Sequence, residues 1–174
     1  MAANDPEQGS TRPAGLTVGP GEGEAIRSPI AGEVTFLARG EQTNGALTAL
    51  DVVVPPGQGP PLHVHAREDE TIWVLEGDVR FKLDGELKSG PAGTFVFIPH
   101  GVAHCFQNVG EQPARFFATI TPAGLETFFE RLAGLTAFDP DAFRRAAAEH
   151  GMMVVGPPLA ESDPLPARDR PTTA

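Results

Sequence analysis

Three of the five histidines, His63, His65 and His104, mark two short blocks. The first block runs Gly57, His63, His65, Glu70, Gly77. His63 and His65 stand two residues apart, so on a strand both imidazoles project from one face, close enough to share one ion. Glu70 opens the next strand-like run and can add a carboxylate oxygen, a role for which Glu68 is the alternative. The second block runs Gly93, Pro99, Gly101, His104, Asn108, with His104 on a later strand reached through a Pro-Gly turn. Three imidazoles and one carboxylate suit one divalent transition ion (Fe, Ni, Mn, Co, Cu or Zn) and leave one or two positions for exchangeable ligands. Such a site can bind an enolate or hydroxyl, polarise a carbonyl, or bring O2 and an electron-rich substrate together. A His-x-His pair alone arises often by chance, and the second block gives the first its weight.

Positioning these residues falls to a turn-rich chain. With 20 Gly, 18 Pro, 11 Phe and no Tyr in 174 residues, many short strands fit better than a helix bundle. Runs at 33–39, 46–54, 69–76, 78–83, 93–98, 102–108 and 113–121 have strand length and composition, and turns such as Asn44-Gly45, Glu76-Gly77 and Asp84-Gly85 separate them. The expectation is an all-β sandwich or barrel of sequential hairpins. After Thr121 the period changes. Leu125, Phe128, Phe129 and Leu132 follow the spacing of a helix's buried stripe, with Thr121 as N-cap and Pro122 at the first helical position. A second helix is expected from Asp139, with Pro140 first, Phe143 and Ala146 or Ala147 buried, and an end at Gly151. The domain plan is thus a disordered tail at 1–15, a β-barrel at 16–121, a helical segment at 122–155 and a Pro-rich disordered tail at 156–174.

Charge and cysteine content narrow the partners. Thirteen Lys and Arg against 23 Asp and Glu give a net charge of −10, which repels polyanions and excludes nucleic acid. Cys105 is the only cysteine, so no intrachain disulfide or zinc ribbon can form. No apolar run reaches membrane-span length and no export signal is visible, so the expected setting is cytoplasmic. The strands expected to line the interior carry Phe36, Leu50, Val74, Phe95, Phe97, Phe106 and Phe117 and almost no Lys or Arg, which disfavours phosphorylated ligands and points to a small apolar or aromatic one.

The two blocks together resemble the two-part signature of the cupin superfamily at every glycine, the proline, the three histidines, the glutamate and the asparagine. The 15 residues from Asp78 to Ala92 between them resemble the short spacing of small microbial cupins. The resemblance implies a small antiparallel jelly-roll barrel over about residues 25–121, followed by one or two helices, with a metal inside one end. Carried over by position, His63, His65, Glu70 and His104 are the implied ligands, which favours Glu70 over Glu68. Gly57, Gly77, Gly93 and Gly101 are implied turn formers, Pro99 sets the turn before His104, and Asn108 is structural.

The stretch from Thr121 to Leu132 is similar to the helix after the barrel in single-domain cupins of the quercetin 2,3-dioxygenase-like group. There it lies near the cavity mouth, which makes Phe128 a further pocket candidate. The implied activity is a metal-dependent dioxygenase on a flavonol-like or other enolisable aromatic, using O2, with Glu70 as the candidate catalytic base. The alternatives are a metal-dependent isomerase or cyclase of polyketide type and a non-catalytic small-ligand binder. Glu76 reads as a solvated strand end, His100 as an exposed turn residue, His150 as a partner of a helix C-terminus, and Cys105 as a packed thiol facing away from the metal. A homodimer is expected through a sheet edge, with the Phe-rich strand at 113–120 as the donor.

Overall fold

The computed structural model describes residues 15–28, 32–135, 137 and 139–166. In chain order its elements are β1 (Glu24–Ser28), β2 (Gly32–Ala38), β3 (Thr48–Val54), β4 (Pro61–His65), β5 (Asp69–Glu76), β6 (Asp78–Leu83), β7 (Glu86–Pro91), β8 (Phe95–Ile98), β9 (His104–Asn108), β10 (Ala114–Thr121), α1 (Glu126–Ala133), α2 (Pro140–Glu149), β11 (Met152–Pro158) and α3 (Leu159–Ser162). The strands form two antiparallel sheets, ordered β1-β2-β3-β10-β5-β8 and β11-β4-β9-β6-β7. One buried cluster joins them, taking Val34, Leu50, Ile72 and Phe116 from the first sheet and Val79, Phe81 and Phe106 from the second. This is the all-β jelly-roll architecture expected from the sequence.

Two-residue alternation decides which side chains enter that cluster. In β10 Ala114, Phe116, Ala118 and Ile120 are buried while Arg115 and Thr121 are exposed. In β5 Ile72 and Val74 point inward and Trp73 and Leu75 outward. Gly77 stands at φ +83 between β5 and β6, and a Cβ there would lie 2.9 Å from the Cα of Ala114, so a side chain is excluded twice over. Gly57, Gly93 and Gly101 also have positive φ, as expected of turn formers.

Four strands lie outside the seven runs singled out by composition, although the His63–His65 spacing already suited a strand. β1 and β7 carry few apolar residues, β4 (PLHVH) places histidines where an apolar alternation would stand, and β11 (MMVVGPP) contains two prolines. β11 is consequential because it pairs with β4, with Met152 opposite His65 and Val154 opposite His63. Residues 156–162, read from the sequence as disordered tail, therefore close β11 and form α3. Residues 1–14 and 167–174 of the two expected tails lie outside the described residues.

The helices also correct an expectation. α2 starts as expected, with the Asp139 carboxylate accepting from the backbone N of Asp141 at 2.9 Å and of Ala142 at 3.1 Å. α1 does not start at Pro122: it begins at Glu126, with Leu125 in the cap position and no side-chain cap. Gly124 has φ +145, which no right-handed helix accommodates, and Ala123 N donates instead to Gly45 O at 3.1 Å. The buried stripe survives this shift, with Leu125, Phe128 and Leu132 inside and Phe129 half-buried. The expected dimer edge also moves. β10 lies between β3 and β5 in mid-sheet, so its Phe residues offer no free edge.

Candidate metal centre

Three strands and both sheets build one cluster. His63 and His65 share a face of β4, and His104 at the start of β9 is the direct cross-strand partner of His63. Glu70 reaches across from β5 in the opposite sheet. One donor atom from each of the four lies within 4.8 Å of the other three. Ring centroids of His63 and His104 are 4.3 Å apart, and those of His65 and His104 5.2 Å. The turn before β9 fixes the approach: Val102 N donates to Pro99 O at 3.2 Å, and Gly101 N donates to His65 O at 2.8 Å, which clamps the turn onto the end of β4. Asn108 at the far end is fully buried and ties backbone to backbone, donating to Val54 O and Gln112 O at 2.8 Å each and accepting from Gly110 N at 2.9 Å.

The imidazoles are oriented for ligation. His63 Nδ1–H donates to Pro61 O at 2.8 Å and His104 Nδ1–H to Val102 O at 2.9 Å, which leaves Nε2 of both rings for the cluster. His104 Nε2 lies 3.1 Å and His65 Nε2 3.8 Å from Glu70 Oε2.

Burial, then the neighbouring His104 and His65, push His63 well below the ordinary histidine range, so it is neutral near pH 7. Burial also lowers His65 against the opposing pull of Glu70. Burial opposes ionisation of Glu70, but the hydrogen bond with His104 and the charges of His104 and His65 bring its carboxyl below the usual range. The reverse balance applies to His104, where burial lowers and Glu70 raises, with a net shift upward. The hydrogen bond between them thus favours the protonated form of His104 and the ionised form of Glu70. Three imidazoles and a carboxylate whose donor atoms converge within 4.8 Å fit a divalent transition ion.

The cavity beside the cluster has hydrocarbon walls. Leu50, Phe106 and Phe128, among the expected pocket residues, line it. So do Val34, Val52, Phe116 and Ile120 from the first sheet, Leu125, Phe129 and Leu132 at α1, Phe143 from α2 and Met152 from β11. Among the described residues its only charged or titratable lining groups are His63, His65 and Glu70.

The other pocket candidates need correction. Phe36 and Val74 are buried in the core away from the cavity. Phe95 and Phe97 are 63% and 54% exposed on the outer face, and Phe117 is half-buried on that same face opposite Trp73. The inward positions of these strands are Val96, Ile98 and Phe116. In β10 the signal was present, since Phe117 shares parity with Arg115 and Thr119. In β8 (FVFI) no alternation exists to read. Phe143 and Met152 lay outside the barrel and gave no pocket signal.

The remaining candidates are placed simply. Glu76 is exposed and sits 3.5 Å from Arg115. His100 is exposed and pairs with Asp69 at 2.7 Å. His150 caps α2 and bridges Ala146 O and Thr127 Oγ1 at 2.7 Å each, tying α2 to α1. Cys105 is buried, and that burial pushes its thiol up to about 11.

Residues 50–120 match the family model described as Cupin domain. Among characterised proteins the chain is similar to a polyketide synthase protein, CurC, of Streptomyces cyaneus, 33% identical over 70 residues, which are 40% of this chain and 46% of that one. It is also similar to quercetin 2,3-dioxygenase of Bacillus subtilis, 33% identical over 73 residues, 42% of this chain and 22% of that one. The chain thus spans less than half the length of either relative. Among solved structures, a predicted oxalate decarboxylase from Thermotoga maritima superposes with TM-score 0.55 at 29% identity, over 62% of this chain and 99% of that chain.

Proposed function

We propose, since residues 50–120 match the Cupin domain model, that the His3Glu cluster holds one divalent transition ion and that the protein is a dioxygenase for a flavonol-like or other enolisable aromatic substrate. The observation that carries this reading is the lining of the cavity: one carboxylate, imidazoles, and otherwise hydrocarbon. When bound, the ion would supply Lewis acidity and a route for electrons between substrate and O2. The chain's residues do the rest. Phe106, Phe116 and Phe128 offer faces and edges to an aromatic ring. Leu125 and Leu132 keep water from the reacting end. Glu70, ionised and facing the cavity, takes the proton of the substrate hydroxyl and so acts as the base.

The second reading, a metal-dependent isomerase or cyclase of polyketide type, is supported by the similarity to CurC over 70 residues. Oxygen-electrode assays of metal-reconstituted protein with flavonols and β-diketones, with product mass measured under 18O2, test both. Uptake of two 18O atoms per product supports the dioxygenase. Turnover that persists without O2 defeats it in favour of the second reading, and absence of any turnover leaves a small-ligand binder.

Two further proposals concern setting. A homodimer is supported by Trp73, Phe95 and Phe97, exposed beside β8 at the end of its sheet, and light scattering at twice the mass of one chain would agree. A cytoplasmic setting is supported by the single buried Cys105; separately, no described helix is long and apolar enough to cross a membrane.

A further inference from the structure

The three imidazoles are not held alike. His63 and His104 each donate Nδ1–H to the carbonyl two residues earlier. The equivalent residue for His65 is His63, which faces β9 and is paired there with His104. His65 Nδ1 is buried and has no hydrogen-bond partner, and the same is true of Glu68 Oε2. The two atoms face each other at 3.8 Å. Glu68 is 2% exposed, and its other oxygen accepts from Arg67 Nε at 2.8 Å. Arg67 in turn donates to Ala123 O at 3.4 Å in the loop before α1.

We infer that Glu68 is the positioning residue of the metal centre: its free oxygen accepts the Nδ1–H of His65 and so fixes the tautomer that presents Nε2 to the ion. The inference rests on the metal-binding reading above. A buried carboxylate left half-unpaired beside a buried, unpaired imidazole nitrogen is costly unless the two meet, and closing the gap by about 1 Å gives an ordinary charge-assisted bond. Arg67 balances the charge that would otherwise be stranded. The same geometry separates the two acids: Glu68 stands behind the ring at Nδ1, while Glu70 stands in front at Nε2, so Glu68 supports a ligand and is not one.

Zinc alone is the probe, titrated into metal-free wild type, Glu68→Gln and Glu68→Ala against a chromophoric chelator. Affinity should fall about 10–100-fold in Glu68→Ala and less in Glu68→Gln, whose amide oxygen still accepts. Side-chain 15N–1H spectra of zinc-loaded wild type should show His65 protonated at Nδ1, with a slowly exchanging, downfield proton that is lost in Glu68→Ala. Zinc affinity in Glu68→Ala within about twofold of wild type overturns the inference. So does a His65 coordinated through Nδ1, a result wild type alone can give if the alanine variant fails to fold. Wild type that binds no zinc defeats the metal reading and this inference together, whereas tight binding by both wild type and Glu68→Ala defeats only the role of Glu68.

Discussion

Removing the Phe128 ring tests whether α1 is a detachable cover or part of the core. Phe128 is 5% exposed and belongs to the buried cluster that fills the space between the sheets. Its ring meets Phe129 at 5.4 Å, Phe143 at 5.6 Å and His150 at 5.9 Å, and it also borders the metal-side cavity. A buried Phe→Ala change costs about 3–5 kcal/mol, and the low end applies here because the void opened merges with space already present. At about 2–4 °C per kcal/mol for a chain of this size, Phe128→Ala should melt roughly 6–12 °C below wild type. Metal content should stay at one ion per chain, since the ring partners of Phe128 are Phe129, Phe143 and His150, none of them in the cluster. Affinity for an aromatic ligand should weaken, because a wall of the cavity and a barrier to water are both gone. Thermal melts followed by circular dichroism, with metal content and ligand titration on the same samples, give all three numbers. A melting shift below about 2 °C would refute the placement of α1 in the core, since that is less than 1 kcal/mol. Unchanged ligand affinity would refute its role as a cavity wall.

Element analysis should find one divalent transition ion per chain, and the His63→Ala, His65→Ala double variant should lose it, with full occupancy in that variant contradicting the cluster. Metal affinity should rise with pH by about tenfold per unit below the raised pKa of His104, because the proton shared with Glu70 must leave before the ion enters. His63, already neutral, adds to this slope only at lower pH, so competition titrations from pH 5.5 to 7.5 that came out flat would show that no proton is displaced. Cys105, with its thiol at about 11, should react with a thiol reagent at pH 8 on the order of a hundredfold more slowly than after denaturation, and equal rates would mean the site is open.

What the sequence made legible was the chemistry, and what it hid was the scaffold's parity and edges. His63, His65, Glu70 and His104 can be read because their residue types are costly inside a β core without a purpose, and because turn residues at fixed offsets bracket them. Pro99 and Gly101 are legible for the same reason: the clamp of Gly101 N on His65 O needs a tight turn at that point. Phe95 and Phe97 misled because β8 is apolar on both faces, so periodicity carries no information about which face is inside. Their partner across the ladder, Trp73 opposite Phe95, explains the exposure as a cross-strand aromatic cluster on the outer face.

The deepest omission was β11, and it changes how the site is understood. Its prolines and glycine mark it as a poor strand by propensity, yet it pairs with β4 because β4 otherwise has a bare edge beside both ligand histidines. Met152 comes to lie opposite His65 and Val154 opposite His63, and Ala66 N donates to Gly151 O at 2.9 Å just beyond them. With that edge closed, Met152 becomes part of the cavity lining beside His63 and His65. The candidate metal centre thus borders a contact between residues 63–65 and 152–154 that no local pattern announces. Its candidate ligands are oriented by local contacts, but the cavity they face depends on the order in which distant strands are laid side by side.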